Sequence, residues 1–391
     1  MAALTPRQRA AFAALVVVYA AIAIPLGVHK GDDIMTEIGQ AQRLLSGQMI
    51  NTAPPGQGMW WPPFALLVVA PFAALAGWSL ALAKAAWGAL GMAALAWSVY
   101  ASGRRWGWRP AALACAVVVL PIHNNFHHLN IETLLLALLV ATAADLAEGR
   151  PARAGVWAGL ATALKVFPGL LLPYFALRRQ WKALGVSSAV AAGATVVGLL
   201  PYGPHGVLEA IGNWVTLATH GQSYGGGSIA GFHMQKLGRL GYALGGAPWS
   251  IVALHLLAVG LVLAILARRP APPADDAPLE VGGVALLAVL LTPIAWLHTF
   301  TLGYLAWVAA IAYAPAFTGR ARTAWRVLVW VVAIHASTAA SLVRLPAALG
   351  FFTFFNDTIG ALLVLGLLLW QRRARIALAR TSRQPRSPLP V

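Results

Sequence analysis

The sequence predicts an all-α, polytopic membrane protein, and three observations support this fold class. Of the 391 residues, 59% are hydrophobic and only 10% are charged. A soluble domain carries roughly 25% charged residues, and a disordered protein has the opposite bias. The apolar residues are concentrated in runs that suit a bilayer core about 30 Å thick, and basic residues gather between these runs. A water-soluble enzyme of this size is therefore excluded.

The charge of the chain indicates a membrane partner. The sequence has 28 Lys and Arg against 11 Asp and Glu, a net charge of +17. In a soluble protein this excess would suggest nucleic acid. In a membrane protein it is explained better by basic cytoplasmic loops that face anionic lipid, so we expect membrane lipids and no nucleic acid as partners. The single cysteine, Cys115, excludes a disulfide framework and a cysteine-based zinc site.

The elements follow from hydropathy and periodicity. Arg7 and Arg9 precede an apolar run that ends near Val28, which predicts an uncleaved first helix with a cytoplasmic N-terminus. The first outward loop, 29–63, includes the helical pattern of 34–45, so it carries short interfacial helices. Ten to twelve transmembrane or half-spanning helices are expected in total. The further apolar runs are roughly 64–77, 79–101, 111–122, 131–147, 154–176, 184–200, 249–267, 281–297, 300–316, 327–343 and 358–370.

Basic clusters predict the topology. Segment 154–176 lies between two of them and is interrupted by Lys165 and Pro168, which favours a hairpin that enters the membrane and returns. The parity of 64–101 stays open. The predicted outward loops are 29–63, 123–130, 201–246, a short turn near His298, and 344–357.

A Pro-rich linker at 269–280 divides the chain. We expect a catalytic transmembrane module at 1–268, C-terminal transmembrane helices at 281–370, and a basic cytoplasmic tail at 371–391. No Walker A or GxGxxG pattern occurs, which argues against an ATP-driven transporter.

The acidic residues are few enough to assess singly. Asp32, Asp33 and Glu37 lie on the first outward loop, where a carboxylate is well placed as a general base. Alternatively, Asp32 and Asp33 cap the helix that follows. Solvated surface is the expected place of five acids beside cytoplasmic ends or the linker: Asp145, Glu148, Asp275, Asp276 and Glu280.

Aromatic and histidine residues supply candidate substrate contacts. Trp60 and Trp61 form either an aromatic belt or a stacking platform for a sugar. His123 and His127 are spaced i, i+4, as metal ligands can be, but no HExxH pattern is present. Binding of phosphate or sugar hydroxyls is the favoured interpretation, and we expect no metal and no cofactor.

Cations within apolar segments are costly and therefore functional by default. Lys165 has no acid near it in the sequence, and a lipid phosphate would satisfy it. Lys84 is expected to snorkel to the interface. The glycine-rich loop 201–246 offers Gln222 and Ser223, followed by three basic residues that suit a phosphate: His233, Lys236 and Arg239. The alternative for this loop is a flexible connection to an interfacial helix.

The order of these features resembles glycosyltransferase family 87, the polyprenyl-phosphate-sugar-dependent enzymes of the C-type (GT-C) superfamily. The likeness covers about residues 30–300. Its most specific part is Lys165-Val-Phe-Pro168 with the trailing Arg178-Arg179-Gln-Trp181. The next most specific part is Asp33 with the later Leu-Leu-Ser-Gly47. The family pattern Asn-Gln-Ser is Gly-Gln222-Ser223 here, and Trp-x-His-His is Trp-Leu-His298-Thr.

The resemblance implies a GT-C-like helical bundle and a mechanism. Asp33 would be the catalytic base, with Asp32 as the neighbouring alternative, and the donor phosphate would contact Lys165, His298, Lys236 and Arg239. A sugar, mannose or another hexose or pentose, would pass by inverting displacement from a polyprenyl-phosphate donor to a hydroxyl of a lipid or glycan acceptor. The expected location is the plasma (inner) membrane, with the active site on the periplasmic face. The alternative function is a transporter or flippase of a lipid-linked saccharide, or a lipid-binding scaffold.

Overall fold

The computed structural model of the chain describes residues 4–50, 61–220, 240, 248–267, 276–292, 295–312, 318–337 and 356–381. Within these ranges all regular structure is helical, which confirms the all-α class. The α-helices are α1 Pro6–His29, α2 Asp32–Leu45, α3 Pro63–Ala76, α4 Leu80–Trp106, α5 Trp108–Val117, α6 Val119–His128, α7 Glu132–Ala147, α8 Pro151–Leu164, α9 Leu171–Leu177, α10 Trp181–Leu199, α11 Gly203–His220, α12 Pro248–Leu266, α13 Ala277–Leu291, α14 Tyr304–Ala312, α15 Gly319–Ala336 and α16 Asn356–Thr381. Short 3-10 helices occupy Phe167–Leu170, Leu200–Tyr202 and Leu297–Gly303.

The helix bundle has two ends, which we name from contacts at the two ends of α4. The site end is the one where Lys84, near the start of α4, donates to the backbone carbonyl of Lys30. At the far end, Arg105 near the end of α4 pairs with Glu148 at 3.3 Å. The 27 residues of α4 cover about 40 Å, enough for a bilayer core. By length and composition, α1, α4 and the run Trp181–Thr216 can cross a membrane, whereas several other apolar helices are shorter.

The parity left open for 64–101 follows from the position of α3. The start of α3 touches the end of α10, because a Cβ on Gly198 would lie 2.7 Å from the backbone nitrogen of Phe64. Along its length α3 packs on α2, and Gln42 of α2 donates to the carbonyl of Ala73 at 3.5 Å. Because α4 then begins at the site end, α2 and α3 both cover that end. Of the two helices in segment 64–101, α3 therefore stays at the site end and α4 runs through the bundle.

Segment 154–176 forms the expected hairpin. Helix α8 runs parallel to α10, with Gly155 against Ala183 and Gly159 against Ser187. It therefore reaches the site end at Lys165. The 3-10 helix that contains Pro168 reverses the chain, and α9 returns it to the far end.

Three acids expected on solvated surface are buried, so that expectation is wrong for them. Asp145 is 3% exposed, accepts a hydrogen bond from the Trp157 indole at 2.7 Å and pairs with Arg150 at 2.7 Å. Asp276 and Glu280 are 2% and 5% exposed. Arginines that are distant in the sequence pair with these carboxylates and offset the free-energy cost of burying their charge. Asp275 lies outside the described residues.

We call the far-end group of Asp276, Glu280, Arg178, Arg372 and Arg375 the far-end ion cluster. Arg178 donates to Glu280 through Nε at 2.8 Å, and Arg372 donates to the same carboxylate at 2.7 Å. Asp276 pairs with Arg372 and Arg375. The far-end ion cluster joins α9, α13 and α16. The tail was predicted to begin at 371, but α16 continues as a packed helix beyond this position. Gln371 and Arg372 are 0% and 1% exposed.

The two blocks on either side of the Pro-rich segment share one core. Buried apolar side chains from α1 to α10 and from α12 to α16 belong to a single continuous cluster. Helix α13 packs against α7 as well as α12, which places the start of the C-terminal block beside the helix that carries Glu132.

Candidate active site

Two glycines bring the first loop against the end of α6. Gly31 has φ +26° and donates its backbone N–H to the carbonyl of His127 at 3.1 Å. A Cβ on Gly27 would lie 2.5 Å from the carbonyl oxygen of Phe126. This close approach of α1 and α6 sets Asp32 and Asp33 beside the residues that follow α6.

Lys84 holds the end of α1 rather than snorkelling, so the snorkelling expectation is wrong. Its side chain is buried, and Nζ donates to the carbonyls of Val28 and Lys30 at 3.3 Å each. These carbonyls end α1, where the helix dipole and unpaired acceptors favour a cation. Lys84 therefore fixes the backbone immediately before Asp32.

Asp33 makes a side-chain contact with Asn130. Asn130 Nδ2 donates to Asp33 Oδ2 at 2.5 Å, and Asn130 Oδ1 accepts from the Ile131 backbone N–H at 2.7 Å. Lys165 Nζ lies 3.5 Å from the same Oδ1. Asn130 thus orients the Asp33 carboxylate and connects it to Lys165.

Lys165 has an acidic partner in the fold that is distant from it in the sequence. Glu132, the first residue of α7, is fully buried and forms an ion pair with Lys165 Nζ. Its backbone N–H donates to Asn125 Oδ1 at 3.1 Å. Among the described residues, Glu132 Oε2 has no hydrogen-bond partner. Sequence reasoning did not select Asn130 or Glu132; the only signal was their place beside the histidine-rich turn.

His298 joins the same group from the C-terminal block. It is 5% exposed, and its Nε2 lies 3.8 Å from Glu132 Oε1. Its Nδ1 lies 3.3 Å from Asn124 Oδ1. The structure therefore brings together three residues selected from the sequence, namely Asp33, Lys165 and His298.

Asp32 has a different partner from Asp33. Its Oδ1 lies 2.7 Å from His128 Nδ1. Partial burial opposes ionisation of Asp32, but the hydrogen bond and the charge of His128 outweigh it and lower the pKa of this carboxyl below its ordinary value. The side chains of Asp32 and Asp33 do not cap α2, because Gly31 is its N-cap and no side-chain cap bond forms.

Asp32, Asp33 and His128 could together hold a cation, because their ligand atoms lie within 4.8 Å of one another. Each of the three already has a protein partner, and the absence of a metal requirement stays a prediction. His123 and His127 lie one turn apart on α6, and the rings of His127 and His128 are 4.8 Å apart. Of these histidines, His128 contacts Asp32, and His127 lies beside it.

Glu37 lies one helical turn after Asp33 and is 4% exposed. Burial and the negative charge of Asp33 raise the pKa of the Glu37 carboxyl well above its ordinary value, although Lys165 acts in the opposite direction. The first loop thus presents an ionised carboxylate at Asp32 and one at Glu37 that favours its protonated form.

Trp61 is part of the core and not a sugar platform. It is 3% exposed, and its ring centroid lies 6.0 Å from that of Trp87, whose Nε1 donates to the Leu129 carbonyl at 2.9 Å. A ring this deeply buried has no free face for a ligand, so the substrate-binding expectation is wrong for Trp61. Five other predicted site residues lie outside the described part of the chain: Trp60, Gln222, Ser223, Lys236 and Arg239.

Apolar helices of membrane-spanning length, two short helices over one end, and a carboxylate–amide–ammonium chain beneath them define a helical membrane enzyme. The sequence pattern of glycosyltransferase family 87 matches residues 60–290, and the chain belongs to this family. Membership confirms the predicted family and decides for glycosyl transfer over transport. The matched range includes Glu132 and Lys165.

Two curated relatives from Mycolicibacterium smegmatis are similar to the chain. One is a polyprenol-phosphate-mannose-dependent alpha-(1-2)-phosphatidylinositol mannoside mannosyltransferase, 29% identical over 327 residues, which are 73% of this chain and 70% of that protein. The other is a polyprenol-phosphate-mannose-dependent alpha-(1-2)-phosphatidylinositol pentamannoside mannosyltransferase, 27% identical over 61% of this chain and 57% of that protein. Among solved structures, ArnT from Cupriavidus metallidurans bound to undecaprenyl phosphate aligns over 99% of this chain and 82% of its own, with a TM-score of 0.47 and 16% identity.

Proposed function

We propose that the protein transfers mannose from a polyprenyl-phosphate donor to a hydroxyl of a phosphatidylinositol mannoside or similar glycolipid, at the outer face of the plasma membrane. The donor and acceptor classes follow from the names of the two relatives. The observation that carries the proposal is the contact of Asp33 with Asn130, which in turn adjoins Lys165. It combines a base with a cation at one end of a membrane bundle.

Asp33 acts as the general base in an inverting displacement. The acceptor oxygen forms a bond to the anomeric carbon while the bond from that carbon to the phosphate oxygen breaks. The acceptor proton passes to the Asp33 carboxylate, and polyprenyl phosphate leaves with the bonding pair. Asn130 donates to one carboxylate oxygen, so the other oxygen is available to the acceptor hydroxyl.

Lys165 and His298 stabilise the leaving phosphate. Charge develops on the phosphate as the glycosidic bond breaks, and N–H donors fixed in a water-poor site, one of them the Lys165 ammonium, favour that charge. Glu132 contacts Lys165 and lies 3.8 Å from His298, so it holds both in place before the donor binds. Of the three N–H donors of the ammonium group, one faces Glu132 and one faces Asn130, so one remains to offer to the phosphate.

The distribution of basic residues supports the proposed outward location. The far end carries Arg105, Arg150 and the far-end ion cluster, and the positive-inside rule assigns such basic ends to the cytoplasm. The opposite end, with Asp33 and Lys165, then faces the periplasm.

The test is a transfer assay on the purified full chain in lipid nanodiscs, with radiolabelled polyprenyl-phosphate mannose and phosphatidylinositol mannosides. We expect a mannosylated lipid product with inverted anomeric configuration. Asp33→Asn should lower kcat by about 10²- to 10⁴-fold, the usual contribution of a general base. Asp32→Asn is the matched variant, since it removes the neighbouring charge but leaves Asn130 and Lys165 in place, and it should retain much more activity.

Two results would contradict the proposal. Near-normal turnover by Asp33→Asn together with an inactive Asp32→Asn would move the base to Asp32. Transfer from a different polyprenyl-phosphate sugar, with none from the mannose donor, would overturn the proposed donor.

A further inference from the structure

A cleft of about 260 Å³ opens in the far half of the bundle, between α5, α14 and α15. We propose that it binds an anionic glycerophospholipid, with the headgroup phosphate at Arg109, Arg322 and Arg326 and an acyl chain along the apolar walls. We call it the arginine cleft. It is separate from Asp33 and Lys165, and the proposed transfer reaction does not require it.

Charge is the first support for this ligand. Three arginines line the arginine cleft, and none of its lining residues is acidic. Arg109 and Arg326 are exposed, and neither forms an ion pair with any residue in the described ranges. Guanidinium groups suit phosphate because they offer paired, planar N–H donors. An anionic headgroup is therefore the complementary ligand at this mouth.

The order of polarity along the walls is the second support. On α5, Arg109 is followed one and two turns later by Leu113 and Val117. On α15, the two arginines at 322 and 326 are followed by Val329 and Ala333. From Arg322 to Ala333 the helix rises about 16 Å. Both walls thus change from cationic to apolar in the same direction, as a phospholipid does from headgroup to chain.

This gradient distinguishes a lipid from a soluble anion. A free phosphate would use only the arginines and leave the apolar walls exposed, whereas an acyl chain covers them. The positive-inside rule accounts for arginines at this end of the bundle, but not for their convergence on one cleft.

The far-end ion cluster supplies an internal comparison. There, Arg178, Arg372 and Arg375 each pair with Asp276 or Glu280. The arginine cleft has no such acids among its lining residues, so the charges of Arg109 and Arg326 are available to an external ligand.

The experiment measures retained lipid by native mass spectrometry of the full chain after purification in detergent. The probes are phosphatidylglycerol, phosphatidylcholine with the same chains, and sn-glycerol 3-phosphate. We compare the wild type with Arg109→Gln/Arg326→Gln. The matched control is Arg7→Gln/Arg9→Gln, which removes the same charge from exposed positions on α1 outside the arginine cleft.

We expect the wild type to retain phosphatidylglycerol in preference to phosphatidylcholine and to bind glycerol phosphate weakly. Each arginine removed from the cleft should weaken phosphatidylglycerol binding about fivefold, hence about 25-fold for the double variant. The control double variant should bind as the wild type does. Leu113→Trp, which fills the apolar part, should reduce phosphatidylglycerol binding without affecting the charge at the mouth.

Several outcomes would overturn the proposal. The first is equal retention of phosphatidylglycerol by the cleft and control variants. The second is equal affinity of the wild type for phosphatidylglycerol and phosphatidylcholine. The third is complete displacement of phosphatidylglycerol by sn-glycerol 3-phosphate. Thermal unfolding in lipid-free detergent shows whether each variant is folded, and a folded Leu113→Trp variant with wild-type lipid binding would also count against it.

Discussion

At the residue scale, Asn130 is the side chain on which the site depends most. It is the residue that contacts both Asp33 and Lys165, and it is 8% exposed. An aspartate at position 130 would repel Asp33, and a leucine at position 130 would leave Asp33 without a hydrogen-bond donor. In the proposed mechanism Asn130 is therefore a positioning residue, since it would act on the reaction through Asp33.

We expect Asn130→Leu to lower kcat by roughly 10- to 100-fold, the equivalent of one lost hydrogen bond to a charged group. The split between kcat and KM separates this role from a merely structural one. Without the donor from Asn130, the carboxylate of Asp33 is no longer held toward the acceptor, so the loss should fall on kcat and leave the KM for the donor nearly unchanged. A variant with normal kcat per folded molecule and only a reduced level of folded protein would contradict the assignment.

Glu37 gives a second prediction at this scale. The folded-state pKa of its carboxyl is raised by burial and by Asp33. A carboxyl with a raised folded-state pKa favours folding while it is protonated, and this contribution is lost as pH rises from the unfolded-state value, about 4.3, through the folded-state value.

We therefore expect Glu37→Gln to match the wild type in stability near pH 4 and to exceed it at higher pH, by about 1.4 kcal/mol for each pKa unit of the shift. Thermal unfolding in detergent as a function of pH measures this. The control is Glu148→Gln, because Glu148 is on the surface at the far end. A Glu37→Gln variant that is less stable than the wild type at pH 7 would refute the prediction.

At the element scale, the contact of α1 with α6 positions the first loop. Alanine normally stabilises a helix relative to glycine by about 1 kcal/mol. At Gly27 the sign should reverse, because the added Cβ would meet the Phe126 carbonyl oxygen at 2.5 Å, and backbone cannot move aside easily. Gly39, within α2, has nothing within 4 Å of such a Cβ.

We expect Gly27→Ala to lower the melting temperature and the transfer rate together, since it separates α1 from α6 and moves Asp33 away from Asn130. Gly39→Ala should be neutral or slightly stabilising. Melting temperature and kcat of the two variants check the pair, and equal effects at both positions would contradict the close packing.

At the scale of the whole molecule, the far-end ion cluster ties together elements whose other ends form the site. Arg178 ends the hairpin that carries Lys165, and Glu280 lies in the first turn of the helix that leads toward His298. Tyr174 also donates to Glu280, at 3.1 Å. The carboxylate of Glu280 therefore fixes the hairpin against the C-terminal block.

Glu280→Ala should destabilise the protein by about 3–5 kcal/mol, because it leaves Arg178 and Arg372 buried with less compensating charge. Glu148→Ala, which removes an exposed partner of Arg105, should cost about 0–1 kcal/mol. Denaturant-induced unfolding in detergent compares the two. Similar decreases in the free energy of unfolding for both variants would mean that the far-end ion cluster is solvated.

Much of the fold and part of the site could be predicted from the sequence. The hairpin at 154–176 and the interfacial helix after Asp32 were predictable, because basic flanks and apolar periodicity are local properties. Lys165 was selected because a cation within an apolar run is costly in any arrangement. Asp33 was selected from its place on the first outward loop and from its match to the family pattern. The buried position of Trp61 and the role of Lys84 were not predictable, since each depends on which helix packs against it.

The sequence by itself determined that this is a helical membrane protein, and it pointed to the first loop for the candidate base, because transfer free energies and helical periodicity act within single segments. The tertiary structure decided the partners. Glu132 meets Lys165 across 33 positions, and Asn130 meets Asp33 across 97. Such pairs depend on how whole helices pack, and no local pattern specifies that packing. The same physical reason explains why α3 lies over the site end and why Asp276 and Glu280 are buried.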